Sequence, residues 1–248
     1  MHTVAVIPVY NEAATIREVV QSTAPYVDEV IVVDDGSSDD SHLQLEGMAV
    51  QLIRLEQNRG KAHALQTGFD RALQLNVDYV VTLDGDGQHN PQEIPNLISA
   101  AQHKPDCIII AARLKATHNA PRLRLFANRF ADFWVSWAAG YPVSDSQSGF
   151  RLYPSALLRE VRLDTTRERG FVFESEIVIE AASHSFYSVS IPVESIYHSG
   201  RRQSHYKPWT DTWRIVRMIA WRLIRRGLYL QGLLRSLGLL KDPRNRAT

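Results

Sequence analysis

Cysteine is nearly absent from this sequence. The one residue present, Cys107, lies in the apolar run CIIIAA and reads as part of a core. An internal disulfide is therefore excluded, and no Cys/His cluster suggests zinc. An excess of either charge is also missing. Lys and Arg number 28 against 27 Asp and Glu, a net of +1, so no global field favours nucleic acid. No uncharged apolar run reaches the ~18 residues of a membrane-spanning helix. The first residues enter a strand pattern at once, without a basic stretch ahead of an apolar one, so no signal peptide is expected. Two phosphate-binding signatures are lacking as well. Neither G-x-G-x-x-G nor G-x-x-x-x-G-K-[ST] follows the first apolar run, which speaks against a dinucleotide fold and a P-loop. That same stretch, PVYNEAATI, lacks the Gly-rich loop bearing Arg or Lys that a nucleotidyltransferase would need.

What is present alternates. TVAVIPVY (3–10), EVIVVDD (29–35), VQLIRL (50–55), DYVVTLD (78–84) and DCIIIAAR (106–113) are apolar, β-branched runs that predict five strands. Between them, EAATIREVVQSTA, GKAHALQTGFDRALQLN and PQEIPNLISAAQ carry helical spacing. Continuous apolar strands separated by helices predict an α/β fold, a mostly parallel sheet covered on both faces.

In such a sheet, ligands sit at the carboxyl ends of the strands. Asn11 and Glu12 follow the first strand, Asp34 and Asp35 the second, Asp84, Asp86 and Gln88 the fourth, and Arg113 the fifth. The edge thus offers carboxylates where phosphate-binding folds offer glycines. Carboxylates repel phosphate unless a cation stands between them. Asp84, Asp86 and the neutral oxygen of Gln88 are suited to a hard divalent cation, Mg²⁺ or Mn²⁺, which shares its shell with a diphosphate. The competing reading of DGDG is a plain turn, since Asp and Gly also supply turn chemistry.

Five ordered segments, IPVYNEAATI, VIVVDDGSSDDS, NRGKAHALQTGF, LDGDGQHNPQEIP and DSQSGFRLYP, resemble family 2 glycosyltransferases of the GT-A fold. The nearest likeness is to dolichyl- and polyprenyl-phosphate sugar (mannosyl or glucosyl) transferases, and it covers about residues 3–155. The resemblance implies a GT-A catalytic domain over 1–200, followed by a basic loop and amphipathic helical tail over 201–248. It implies a nucleotide-diphosphate sugar donor, GDP- or UDP-linked, held by Pro8, Tyr10, Asn11, Glu12, Asp35, Lys61, Asp84, Gly85 and Asp86. Asp35 is also read as turn chemistry, and Lys61 as a solvated lysine. It implies a metal on Asp84, Asp86 and Gln88, with His89 beside rather than on it. Asp86, Asp145 and Arg113 are the implied catalytic residues.

On the acceptor side the resemblance implies Arg113, Arg122, Arg124, Ser148 and Arg151, with Arg201, Arg202 and Lys207 supplying further positive charge. A solvated basic helix face competes with this reading for each arginine. Many family members carry a Glu-Asp pair at the loop DSQSGFR, whose Asp is the base for a sugar hydroxyl. This chain has Asp145 without the pair, which favours an ionised phosphate acceptor. The implied partner is thus a lipid phosphate, with a lipid or saccharide hydroxyl as the rival acceptor and a non-catalytic sugar-nucleotide binder as the rival function. The processive Q-x-x-R-W motif is absent, which favours a single transfer.

The tail adds an amphipathic pattern over 209–240. At about 100° per residue, Trp213, Val216, Ile219, Ala220, Leu223 and Ile224 share one arc, and Arg214, Arg217, Arg222, Arg225 and Arg226 the other. Such a helix suits a membrane surface, or docking on the domain, on a second copy or on a small membrane partner. The expected location is cytoplasmic, peripheral on the cytoplasmic face of a membrane.

Overall fold

The structure, a computed structural model, describes residues 1–113, 122–162, 173–193 and 208–246. The five expected strands form: β1 (Thr3–Val9), β2 (Glu29–Asp34), β3 (Gln51–Arg54), β4 (Tyr79–Thr82) and β5 (Cys107–Ala112). Helices α1 (Ile16–Thr23), α2 (Lys61–Leu73) and α3 (Ile94–His103) lie between them in sequence. Every residue of β1, β4 and β5 is buried. That is what continuous apolar runs dictate when helices cover both sheet faces. One core cluster joins Val4, Val6, Ile31 and Val33 to Leu65 and Phe69 of α2. The other joins Ala5, Ile7 and Val32 to Ile16 and Val20 of α1 and Leu97 of α3.

Two further strands complete the sheet. They are β6 (Arg151–Pro154) and β7 (Tyr187–Pro192), and the order is β3-β2-β1-β4-β6-β5-β7. Only β6 runs against the rest, pairing antiparallel with both β4 and β5. This reversal matters for function. The loop that enters β6 therefore arrives at the carboxyl ends of β4 and β5, where Arg151 opposes Thr82 and Ile110.

Helices α4 (Arg122–Ala139), α5 (Ser155–Glu160) and α6 (Phe173–Ser183) precede the tail. The tail is not one helix. It divides into α7 (Pro208–Arg225) and α8 (Leu230–Ser236), separated by a turn in which Gly227, Leu228 and Tyr229 all have positive φ. A left-handed run of this kind ends a helix. Ile219 and Leu223 of α7 are buried in the same core cluster as Val135 and Ala138 of α4 and Ile177 of α6. Of the two readings of this arc, docking on the domain thus holds for Ile219 and Leu223. Helical periodicity fixes an apolar arc but not what covers it.

Candidate active site

Three loops at the carboxyl edge are tied together before any ligand arrives. Asn11, at φ 58°, accepts from the Ser38 amide at 2.9 Å through Oδ1, while its own amide donates to Ser37 Oγ at 3.0 Å. The Glu12 amide donates to Ser41 Oγ at 2.8 Å. The Thr15 hydroxyl donates to the Gly85 carbonyl at 2.6 Å, which joins the loop after β1 to the loop after β4. Pro8 is buried inside β1, and Tyr10 stands exposed at its end. Asp35 holds the entry to α2: its two oxygens accept from the Arg59 and Gly60 amides, each at 2.8 Å. Burial raises its carboxyl, and those amides act against the rise. Asp35 is thus a loop anchor. Gly36 beside it has φ 69°, and a Cβ there would meet the backbone of Gln57 at 2.6 Å.

Lys61, Asp84 and Asp86 come together, joined by a residue the sequence reading missed. The Lys61 ammonium lies 2.6 Å from Asp84 Oδ1 and 2.7 Å from Glu174 Oε1 on α6. His89 Nε2 lies 3.2 Å from Asp84 Oδ2. Burial would lower the Lys61 ammonium, but Asp84 and Glu174 outweigh it and hold the lysine charged well above its ordinary range. Burial would likewise raise Asp84, yet Lys61 and His89 hold it far below the usual carboxylate range. Asp86 goes the other way: burial, then the charge of Asp84, pushes its carboxyl up. Its Oδ1 accepts from the Gln88 amide at 3.0 Å. Gly149 roofs this cluster, and a Cβ there would sit 2.7 Å from Asp84 Oδ2 and 3.0 Å from Lys61 Nζ. The glycine is needed for close approach.

The residues expected on the acceptor side divide. Arg113 grips Asp145 twice through its guanidinium, Nε to Oδ2 at 3.0 Å and Nη2 to Oδ1 at 2.8 Å, and its amide donates to Oδ2 at 2.8 Å. Burial would raise Asp145, and Arg113 overrides it and keeps the carboxylate ionised. Asp145, at φ 51°, is therefore engaged by Arg113, not poised as a base. Asp132 of α4 fixes this loop by accepting from the Asp145 and Ser146 amides at 3.0 and 2.8 Å.

Arg151 and Ser148 do not line a ligand surface. The Arg151 side chain is wholly buried and donates to the carbonyls of Ser148, Glu174 and Ser146, each at 2.7 Å. Ser148 Oγ, also buried, donates to the Ala111 carbonyl at 2.8 Å. Both brace the loop over the site; the expected acceptor contact is corrected because neither polar group reaches the surface. Arg122 and Arg124 open α4, but their side chains lie outside the described residues, as do Arg201, Arg202 and Lys207. Of the groups missed, Glu174 and Asp132 left one signal each: a carboxylate within a largely apolar or aromatic helical stretch, ESEIVIEAA and ADFWVSWAA.

Among the described residues no group of three or more His, Cys, Asp and Glu forms a metal cage. The donor chemistry fits a different arrangement. Asp86 and the side chain of Gln88 offer hard oxygen, and Asp84, paired with Lys61 and His89, adds more beside them. A cation that takes few protein oxygens and completes its shell with phosphate and water suits such a set.

A mostly parallel sheet with one reversed strand, acidic loops at its carboxyl edge and no glycine-rich phosphate loop defines the GT-A class of transferase fold. The chain matches the family model described as Glycosyl transferase family 2 over residues 4–161, and it belongs to that family. It is thus a glycosyltransferase, of the hexosyltransferase kind. It is 30% identical over 213 residues to a UDP-N-acetylglucosamine–dolichyl-phosphate N-acetylglucosaminyltransferase of Methanococcus voltae, covering 77% of this chain and 84% of that one. It is 26% identical over 202 residues to the polyprenol monophosphomannose synthase of Mycolicibacterium smegmatis, covering 77% and 76%. In fold it resembles the glucosyl-3-phosphoglycerate synthase of Mycobacterium tuberculosis crystallised with Mn²⁺, UDP-glucose and phosphoglyceric acid. The TM-score is 0.66 at 22% identity, over 92% of this chain and 80% of that one.

Proposed function

We propose that this glycosyltransferase moves one sugar, with inversion, from a nucleotide-diphosphate sugar to a polyprenyl phosphate at a membrane surface on the cytoplasmic side. The acceptor phosphate oxygen forms its bond to the anomeric carbon as the bond from that carbon to the diphosphate oxygen breaks. The electron pair leaves with the nucleoside diphosphate. Tyr10, Asn11, Glu12, Asp35 and Gly85 hold the nucleoside end of the donor. Asp86 and Gln88, with Asp84, would hold a divalent cation, Mg²⁺ or Mn²⁺, which would supply positive charge against that developing on the departing diphosphate. Lys61 supplies a fixed positive charge beside it. Arg113, with Arg122, Arg124, Arg201, Arg202 and Lys207, attracts the acceptor phosphate.

The observation that carries this reading is the engagement of Asp145 by Arg113. A hydroxyl acceptor needs a base because its proton is held far above neutral pH, and the one carboxylate on the acceptor loop is spent on a guanidinium. A phosphate acceptor is already ionised and needs none. The names of two relatives point the same way: one is a dolichyl-phosphate N-acetylglucosaminyltransferase, the other a polyprenol monophosphomannose synthase. The test is to offer a panel of nucleotide sugars with Mn²⁺ and a total lipid extract, then identify new lipids by mass spectrometry. A sugar-phosphate lipid is the expected product; transfer only to hydroxyl lipids overturns the phosphate reading.

A further inference from the structure

The tail has a second apolar face that the described residues leave uncovered. Leu230, Leu234 and Leu237, spaced i, i+4 and i+7, form one row along α8 and its end, and all three are exposed. Gly232 lies nearly opposite that row at about 100° per residue. It is buried, and a Cβ there would meet the Trp137 carbonyl of α4 at 2.7 Å. So α8 lies tightly against α4 by its glycine side and turns its leucines outward. Trp221, Ile224 and Leu228 continue the exposed apolar surface back through the turn to α7. On α4, Trp137 donates to the Leu228 carbonyl at 3.0 Å, stacks on Trp134 with ring centres 5.4 Å apart, and meets exposed Phe133 at 6.1 Å.

The charge around this face selects its partner. Residues 221–241 contain no acid, while Arg225, Arg226, Arg235 and Lys241 stand among the leucines. The Arg225 guanidinium sits 4.8 Å above the Trp221 ring. Arg222 is different: it is turned inward to Glu176 and Glu180 at 2.7 and 2.8 Å. A second copy of the chain is a poor fit, because a two-fold contact would set these cations against one another with no carboxylate to meet them. An anionic bilayer answers both features, taking the leucines into the acyl boundary and the arginines and lysine to its headgroups.

We infer that the outward face of α8, the 227–229 turn and the exposed edge of α7 is the surface on which the protein lies on an anionic lipid bilayer. This rests on the lipid-acceptor reading above and gives it a geometry. Helix α4 joins the two sites: Phe133 and Trp137 border the lipid face, and Asp132, adjacent to Phe133, holds the amides of the loop that carries Asp145. Docking therefore fixes the acceptor loop relative to the bilayer.

The test uses the full chain and two vesicle types, phosphatidylcholine alone and phosphatidylcholine mixed with phosphatidylglycerol. The wild type is expected to sediment with the anionic vesicles and to be released by salt, since exposed charges are screened within about 8–10 Å. L230Q/L234Q/L237Q, shown folded by an unchanged thermal melt, is expected to partition at least about tenfold more weakly, because three leucines no longer enter the acyl boundary. R225E/R226E is expected to lose the preference for anionic vesicles. Equal partition of the leucine variant and the wild type overturns the inference. So does a wild type that ignores both vesicles, or a wild-type dimer in light scattering that the leucine variant dissociates. Transfer to a short, water-soluble prenyl phosphate separates this inference from the functional one. The leucine variant is expected to keep that transfer. Absence of transfer in the wild type, with lipid partition as expected, leaves the docking face standing and refutes the acceptor.

Discussion

Lys61 faces two carboxylates, Asp84 and Glu174, and neutralises only one charge of the two. The depressed Asp84 and the elevated Lys61 mean that their mutual stabilisation is fully present between the two unfolded-state values, about pH 4 to 10. It is lost as pH falls through the Asp84 value or rises through that of Lys61. Lys61→Met removes the cation and leaves buried Asp84 favouring protonation. Its folded state then binds more protons than the unfolded chain, so stability falls as pH rises above about 4. The expected loss is about 3–5 kcal/mol at neutral pH, the cost of an uncompensated buried charge. It should be clearly smaller near the acid end of the window. Urea melts at two pH values measure it; the same loss at both contradicts the charge account. In the proposed mechanism Asp86 has the opposite task, that of an exchangeable oxygen ligand. Asp86→Asn is expected to leave stability nearly unchanged and to slow transfer by about two orders of magnitude or more, given the several kcal/mol a metal contributes to charge stabilisation. Calorimetry with and without Mn²⁺ should show that donor binding in this variant no longer depends on the ion; a retained dependence contradicts the assignment. The two aspartates are legible in the sequence because Asp-Gly-Asp directly follows an apolar strand. Glu174 is not, because its partner is distant in the chain and only the fold brings them together. Nor does sequence reveal that Arg151, part of a motif resembling an acceptor loop, is held by three carbonyls in the interior.

At the scale of elements, the parallel strands and their helices follow from period and β-branching, and those are the parts the sequence reading anticipated. Strand β6 escapes it. Four residues beginning with arginine carry no strand signature, and a reversed strand between β4 and β5 is a property of topology. The tail shows a second limit. Its amphipathic period is real, yet Ile219 and Leu223 pack inward while Trp221 and Ile224, on the same helix, face out. Leu223→Ala should therefore destabilise the whole protein by about 2–5 kcal/mol, as for a buried leucine that leaves a cavity. Ile224→Ala, at 62% exposure, should shift stability by no more than about 0.5 kcal/mol. Equal effects in denaturant melts would contradict the docking of α7.

Across the whole molecule, a net charge of +1 conceals a division of labour. Carboxylates gather at the sheet edge proposed to take the donor and its cation, and cations gather in 221–241, where no acid interrupts them. No helix among the described residues is long and apolar enough to cross a membrane. The two regions are linked by α4, which touches the loop carrying Asp145 and the tail alike. The central claim is that the sugar goes to a phosphate, because Asp145, the carboxylate of the loop DSQSGFR, is engaged by Arg113. The direct measurement offers the purified protein, with a nucleotide sugar and Mn²⁺, two prenyl acceptors of equal length, one ending in phosphate and one in a free hydroxyl. Mass spectrometry and ³¹P NMR of the products decide between them. A glycosyl phosphodiester from the phosphate lipid alone, dependent on Asp86, is the predicted result; a glycoside of the prenol, formed as readily, would contradict it.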